Sequence, residues 1–261
     1  MKFRGFAVAA AVLSLLSVSG TALAEETPAT GANPPAEEAA KPDPWHGFSI
    51  TLTGVTDYRD RGISQSDEDP AIQASLDWVH DSGIYLGVWG SNVDFNDGGQ
   101  ADYEIDVYGG YTTEWAGFEW DFMANAIFYP GAAESLDYDL YEFSTIVSRS
   151  FGIANTKVKL IYSPDNSGDS GTGLYSSFAG DVPILETGVS VTSSYGHQYV
   201  DNKINYGVGT YNDWSLGLGY SWQGFDFALK YIDTDLDKFQ CITGCDATAM
   251  FSVARTFGGA E

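Results

Sequence analysis

From residue 47 to residue 257, apolar and polar side chains alternate with a period of two, and turn residues interrupt the alternation at regular intervals. That period marks strands with two unlike faces. It predicts twelve strands, at 47–58, 71–80, 84–94, 102–115, 118–129, 138–149, 153–163, 173–181, 184–195, 211–222, 225–233 and 248–257. Connections after the odd-numbered strands are long: 59–70, 95–101, 130–137, 164–172, 196–210 and 234–247. Those after the even-numbered strands are short: Asp81-Ser82-Gly83, Ala116-Gly117, Ser150-Phe151-Gly152, Val182-Pro183 and Gln223-Gly224. An even strand count, with short turns at one end and long loops at the other, is the pattern of an antiparallel transmembrane β-barrel. Most segments also have the length that a tilted strand needs to cross a bilayer, about 9–11 residues. Strands of soluble proteins are more often about five or six residues long.

The two faces are legible. On 102–115, Tyr103, Ile105, Val107, Tyr111, Thr113 and Trp115 oppose Asp102, Glu104, Asp106 and Glu114. On 118–129, Phe118, Trp120, Phe122, Ala124, Ala126 and Phe128 oppose Glu119, Asp121 and Asn125. Phe225, Phe227, Leu229 and Tyr231 likewise oppose Asp226 and Lys230. Alternation alone does not say which face is wet, because a soluble sandwich would bury the rings and expose the acids. In a bilayer the acidic face must point inward, since charge facing lipid is costly. Aromatic placement favours the bilayer. Trp78, Trp115, Trp120 and Trp222 lie near short turns, whereas Tyr58, Tyr103, Tyr129, Tyr138, Tyr162, Tyr195, Tyr211 and Tyr231 lie near long loops. Two aromatic bands at opposite strand ends are what the membrane interfaces select.

Composition narrows the classes. The chain has 261 residues with 36 Asp+Glu against 12 Lys+Arg, a formal charge of −24. Nucleic acid is excluded as a partner, because phosphate contacts need clustered Lys and Arg. Two cysteines cannot make a disulfide scaffold. High Tyr, Phe, Thr, Val and Gly content favours strands and argues against disorder.

The first 24 residues read as an export signal. Lys2 and Arg4 precede an apolar run from Phe6 to Val18, and Ala22-Leu23-Ala24 supplies a small-residue cleavage site. Its removal takes the formal charge from −24 to −26. Residues 25–44 are rich in Ala, Pro and Glu and carry no large apolar side chain, so they are expected to form a flexible tether. The barrel is expected to occupy 45–261. No later segment reads as a long apolar helix, so any membrane crossing must be made by strands.

The run Asp57-Tyr58-Arg59-Asp60-Arg61-Gly62-Ile63-Ser64-Gln65-Ser66, with Pro70-Ala71-Ile72-Gln73 after it, resembles the TorF family of porins, catalogued earlier as a proteobacterial conserved-hypothetical group. The resemblance continues through Ser82-Gly83-Ile84-Tyr85-Leu86-Gly87-Val88-Trp89-Gly90-Ser91-Asn92-Val93 and ends at Ala254-Arg255-Thr256-Phe257. It covers essentially the whole chain after the tether, and its most specific part is Arg61 to Gln65. The resemblance implies an outer-membrane β-barrel with a passive-diffusion role. One departure stands out: such barrels usually finish on an aromatic residue that the insertion machinery reads, and here Gly258-Gly259-Ala260-Glu261 follow Phe257.

On this assignment the lumen carries Asp77, Asp102, Glu104, Asp106, Glu114, Glu119, Asp121, Glu142, Glu186, Asp213 and Asp226, against Lys157, Lys159 and Lys230. Rings of carboxylates attract cations and repel anions. The expectation is a cation-preferring pore; the alternative is a narrow barrel plugged by lysine–acid pairs. Arg59 and Arg61 stand beside Asp57 and Asp60 in the first long loop. They either fold inward as a constriction or pair with acids to pin the loop.

Cys241 and Cys245 are expected to close a small disulfide in the last loop, since export permits it. His46, His80 and His197 form no triad by spacing, and no phosphate loop or dinucleotide fingerprint is present. No enzymatic role, cofactor or metal is expected. Expected partners are outer-membrane lipid, the barrel-assembly machinery and small solutes. The alternatives are a non-conducting barrel with a structural or surface-binding role, and a soluble secreted β-protein.

Overall fold

The structure is a computed structural model. It describes residues 46–259 other than 97, 99–100, 185, 204–206 and 242–243. The expected signal and tether lie outside the described residues.

Twelve strands close into one antiparallel barrel: β1 (Phe48–Val55), β4 (Ala71–Val79), β5 (Ile84–Asn92), β6 (Tyr103–Trp115), β7 (Phe118–Phe128), β8 (Leu140–Phe151), β9 (Ala154–Ser163), β10 (Gly173–Ile184), β11 (Val189–Val200), β12 (Thr210–Trp222), β13 (Phe225–Thr234) and β14 (Thr248–Gly258). Each strand pairs with its sequence neighbours, and β1 closes the ring against β14 from Ser49↔Gly258 to Val55↔Ser252. Closure leaves no strand edge unpaired. The remaining two strands, β2 (Arg59–Asp60) and β3 (Ile63–Ser64), form a separate ribbon inside the first long connection.

The predicted alternation becomes inside and outside. Along β6, Glu104 and Asp106 are fully buried, while Tyr103, Ile105 and Val107, which alternate with them, are 59%, 39% and 47% exposed. Outward faces elsewhere carry Leu86, Phe122, Phe143, Leu160, Phe178, Leu216 and Leu229, all exposed. Such a surface is the inverse of a water-soluble β-protein.

Two readings are corrected. The turn expected at Val182-Pro183 lies instead at 186–188, where Glu186 and Gly188 have φ of 62° and 73°. Pro183 stays in β10 because the β9 ladder ends at Asp181↔Asn155, so its missing N–H breaks no bond on that side. As a result β11 runs on to Val200 and takes His197 into a strand. The second concerns the tyrosine band. Tyr103, Tyr162, Tyr195 and Tyr231 do face outward, but Tyr58, Tyr129, Tyr138 and Tyr211 are buried inside the barrel. Tyr211 lies within β12, in phase with inward Asp213, whereas Tyr58, Tyr129 and Tyr138 lie just beyond strand ends, where period-two patterning no longer orients a ring.

Candidate functional site

The first long connection turns into the barrel. Arg61 and Gly62, with φ of 44° and 84°, make the two-residue turn between β2 and β3, with both φ positive as a type I′ hairpin requires. Gly62 has no room for a side chain: a Cβ there would lie 2.4 Å from Thr234 Cγ2. Asp57 to Ile63, Gln65 and Ser66 are all buried. The hairpin therefore lies across the loop-side half of the lumen.

Arg61, at its tip, reaches the far wall. It donates to Glu142 Oε1 on β8 at 2.6 Å and to Gln198 Oε1 on β11 at 3.0 Å. Its guanidinium lies 4.8 Å above the Tyr175 ring on β10, and its Nε is 3.6 Å from Asp60. Arg59 holds the base. It pairs with Asp57 at 2.5 Å and donates to the backbone carbonyls of Gly62, Gly244 and Asp246 at 3.1, 2.7 and 3.2 Å. Ser64 N also donates to Gly244 O, so the last loop rests on the ribbon. The bond between Cys241 and Cys245 closes that loop, and Cys245 packs with Ile63, Val200, Val208 and Tyr211. On the opposite side Tyr58 packs edge-on against Trp89 and donates to Glu104 Oε1 at 3.2 Å. Burial pushes the Tyr58 phenol well above its ordinary range, and the charge of Glu104 adds to this. Burial likewise raises the Asp60 carboxyl, opposed by Arg61.

The candidate lining residues divide by depth. Glu104, Asp106, Asp121, Glu142 and Asp213 are buried on inward faces. Asp77, Lys157, Lys159 and Lys230 face inward and are half-buried. Glu114, Glu119 and Asp226 face inward near the short turns and are exposed. Asp102 lies just outside β6 and is exposed, and Glu186 lies in the turn at 186–188. Several other inward positions toward the short turns are small and accessible, among them Ser49, Thr51, Ser148, Ser190 and Gly219. The lumen is thus a polar funnel at the turn end and is barred by the hairpin at the loop end.

Several members of this arrangement escaped the sequence reading: Gln198, Tyr175, the inward acid Asp181, and the phenols that hold the acidic wall. Tyr85 donates to Asp121 at 2.7 Å, Tyr108 to Asp77, and Tyr175 to Asp213 at 3.1 Å. One usable signal was present: Arg61-Gly62 sits between two short strand-forming pairs, a two-residue hairpin signature.

A model of the family described as "Bacterial protein of unknown function (Gcw_chp)" matches residues 39–257. The chain belongs to the Gcw_chp family. No curated protein matches the sequence. Among solved structures, this Gcw_chp barrel is similar to the "KdgM porin", at 9% identity and a TM-score of 0.52, with 81% of this chain and 99% of that one covered. It is also similar to the structure titled "NanC porin structure in rhombohedral crystal form", at 10% identity and a TM-score of 0.53, covering 81% and 100% of the two chains. At such identities the likeness is one of fold: the Gcw_chp chain folds as a twelve-stranded barrel of the outer-membrane porin type.

Proposed function

We propose that this protein is an outer-membrane channel through which small hydrophilic, preferentially cationic solutes diffuse passively. The observation that carries the reading is the pairing of an apolar outer face with an acidic inner face in one closed barrel. The inward carboxylates that stay accessible, Glu114, Glu119 and Asp226 near the short turns with half-buried Asp77, contribute negative potential toward the lumen and favour a mobile cation there. The hairpin carrying Arg59 and Arg61 serves as the constriction. Both termini would face the periplasm and the six long connections the exterior, the usual arrangement for barrels with one short-turn end. The resemblance of Arg61 to Gln65 to the TorF porins runs the same way.

Planar-bilayer recordings of the refolded barrel under a KCl gradient test this. A reversal potential of cation sign is expected. An anion-sign reversal overturns the selectivity, and absence of current overturns the channel.

The filled loop-side half favours a second reading, a barrel that does not conduct. Releasing the hairpin separates the two: a double Arg59→Ala, Arg61→Ala variant should conduct more than the parent if the hairpin is a constriction, and remain silent if the barrel has a purely structural role.

A further inference from the structure

The basic residues of the described chain sort by place. Arg59 and Arg61 lie in the hairpin, Lys157, Lys159 and Lys230 face inward, and Lys203 and Lys238 lie in long loops. Arg149 and Arg255 differ from all of these. Arg149 shares the outward face of β8 with exposed Phe143 and Phe151, and Arg255 that of β14 with exposed Phe251 and Phe257. Both stand near the short-turn ends of their strands.

Their surroundings are two copies of one arrangement. The Arg149 guanidinium lies 4.7 Å over the Phe118 ring and 5.2 Å from that of Phe151. The Arg255 guanidinium lies 4.7 Å over Phe225 and 5.1 Å from Phe257. In each copy the first phenylalanine opens a strand directly after a two-residue turn, Ala116-Gly117 or Gln223-Gly224. The second lies two residues beyond the arginine on the next strand, in Arg149-Ser150-Phe151 or Arg255-Thr256-Phe257. Trp115, Trp120 and Trp222 stand at the same end of the barrel. Neither guanidinium takes part in an ion pair among the described residues.

A guanidinium stacked on rings is covered on its faces, while its N–H donors remain free around the edge. That edge matches two oxygens of a phosphate in bidentate geometry. The inner faces of this chain are acidic, so its own carboxylates near the turn end, such as Glu114, Glu119 and Asp226, point away into the lumen. At the level of an aromatic belt, the anion that a bilayer presents to an outward-facing cation is the headgroup phosphate. A cation facing lipid is tolerated at that level and not at the midplane.

We propose that Arg149 and Arg255, each stacked on its phenylalanine pair, form two equivalent sites for the phosphate of a phospholipid headgroup in the leaflet at the short-turn end. The proposal rests on the reading of the barrel as membrane-spanning. Two bound phosphates on β8 and β14 would fix the height and tilt of the barrel in the bilayer.

The test uses the full barrel, purified in detergent, with its folding verified by a heat-dependent gel shift. Phosphatidylglycerol is titrated in and bound lipids are counted by native mass spectrometry. The parent protein is expected to retain two lipids that the double Arg149→Gln, Arg255→Gln variant loses, with affinity weakened on the order of tenfold or more per site, as for charge-assisted hydrogen bonds. Each single variant should lose one. Phe118→Leu with Phe225→Leu keeps both charges and removes two rings, and should weaken retention without abolishing it. Lys238→Gln, in an outer loop, should change nothing. Equal lipid counts for parent and double variant overturn the proposal. Displacement by inorganic phosphate would assign the sites to free anions and overturn the lipid. A parent protein that stays dispersed in buffer without detergent removes the membrane reading itself, a separate outcome from a bilayer-inserted barrel whose variants keep their lipids.

Discussion

Tyr85 on β5 crosses the whole of strand β6 to reach Asp121 on β7, donating its hydroxyl at 2.7 Å, and the residue it crosses is Gly110. A Cβ on Gly110 would lie 2.4 Å from the Tyr85 hydroxyl and 2.4 Å from the Phe122 carbonyl. The device recurs. Tyr108 passes over Gly87 to Asp77, and Tyr175 passes over Gly196 to Asp213. In each, a missing side chain on the middle strand lets a phenol hold a carboxylate two strands away, which fixes the orientation of the acidic wall.

Replacing Gly110 with Ala should therefore lower the temperature of the heat-dependent gel shift, by about 1–3 kcal/mol of stability, as overpacking does. Gly54→Ala is the contrast. Its Cβ would meet nothing nearer than Val253 Cγ1 at 3.8 Å, so the shift should be unchanged or slightly raised through the less flexible unfolded chain.

Arg61→Ala removes the cation from between buried Glu142 and Asp60. Loss of one partner of a buried pair costs about 3–5 kcal/mol. Urea unfolding in lipid vesicles should show that loss, and single-channel conductance should rise as the hairpin tip comes free. Arg61→Lys keeps the charge but cannot reach both Glu142 and Gln198 with one fork, so an intermediate conductance is expected.

Opening the Cys241–Cys245 bond should affect the hairpin more than the barrel. A loop this small accounts for about 2 kcal/mol in the chain-entropy account of disulfides. The loop nevertheless supplies the Gly244 and Asp246 carbonyls that hold Arg59. Cys241→Ser with Cys245→Ser is expected to lower the gel-shift temperature modestly and to increase open-channel current noise in bilayer recordings.

Hairpin docking should weaken as pH rises. The Asp60 carboxyl is pushed well above the usual carboxylate range, first by burial; Arg61 and Lys159 oppose the shift, and Glu142 and Asp213 add to it. An acid with a raised value binds its proton more tightly in the docked state. That contribution is complete below the ordinary value, about pH 4, and is lost as pH climbs through the raised one. Conductance should accordingly increase from about pH 4 toward neutrality. Asp60→Asn should flatten that rise; an unaltered profile in the variant would assign the pH response to other groups.

The strand count, the two faces and the division into short turns and long loops were set by the chain itself. Each depends on period-two spacing and turn residues, which are local properties that survive without knowledge of partners. Which way Tyr58, Tyr129 and Tyr138 point was decided only in three dimensions, because just beyond the strand ends the alternation stops and packing chooses. The same holds for Arg61. Its neighbours in sequence, Asp60 and Gly62, say that a turn is possible, but Glu142 and Gln198 lie far along the chain and meet it only because the barrel closes. Ring closure is a long-range constraint. It turns a row of alternating ribbons into a lumen, and whether a loop fills that lumen depends on distances that no local pattern encodes.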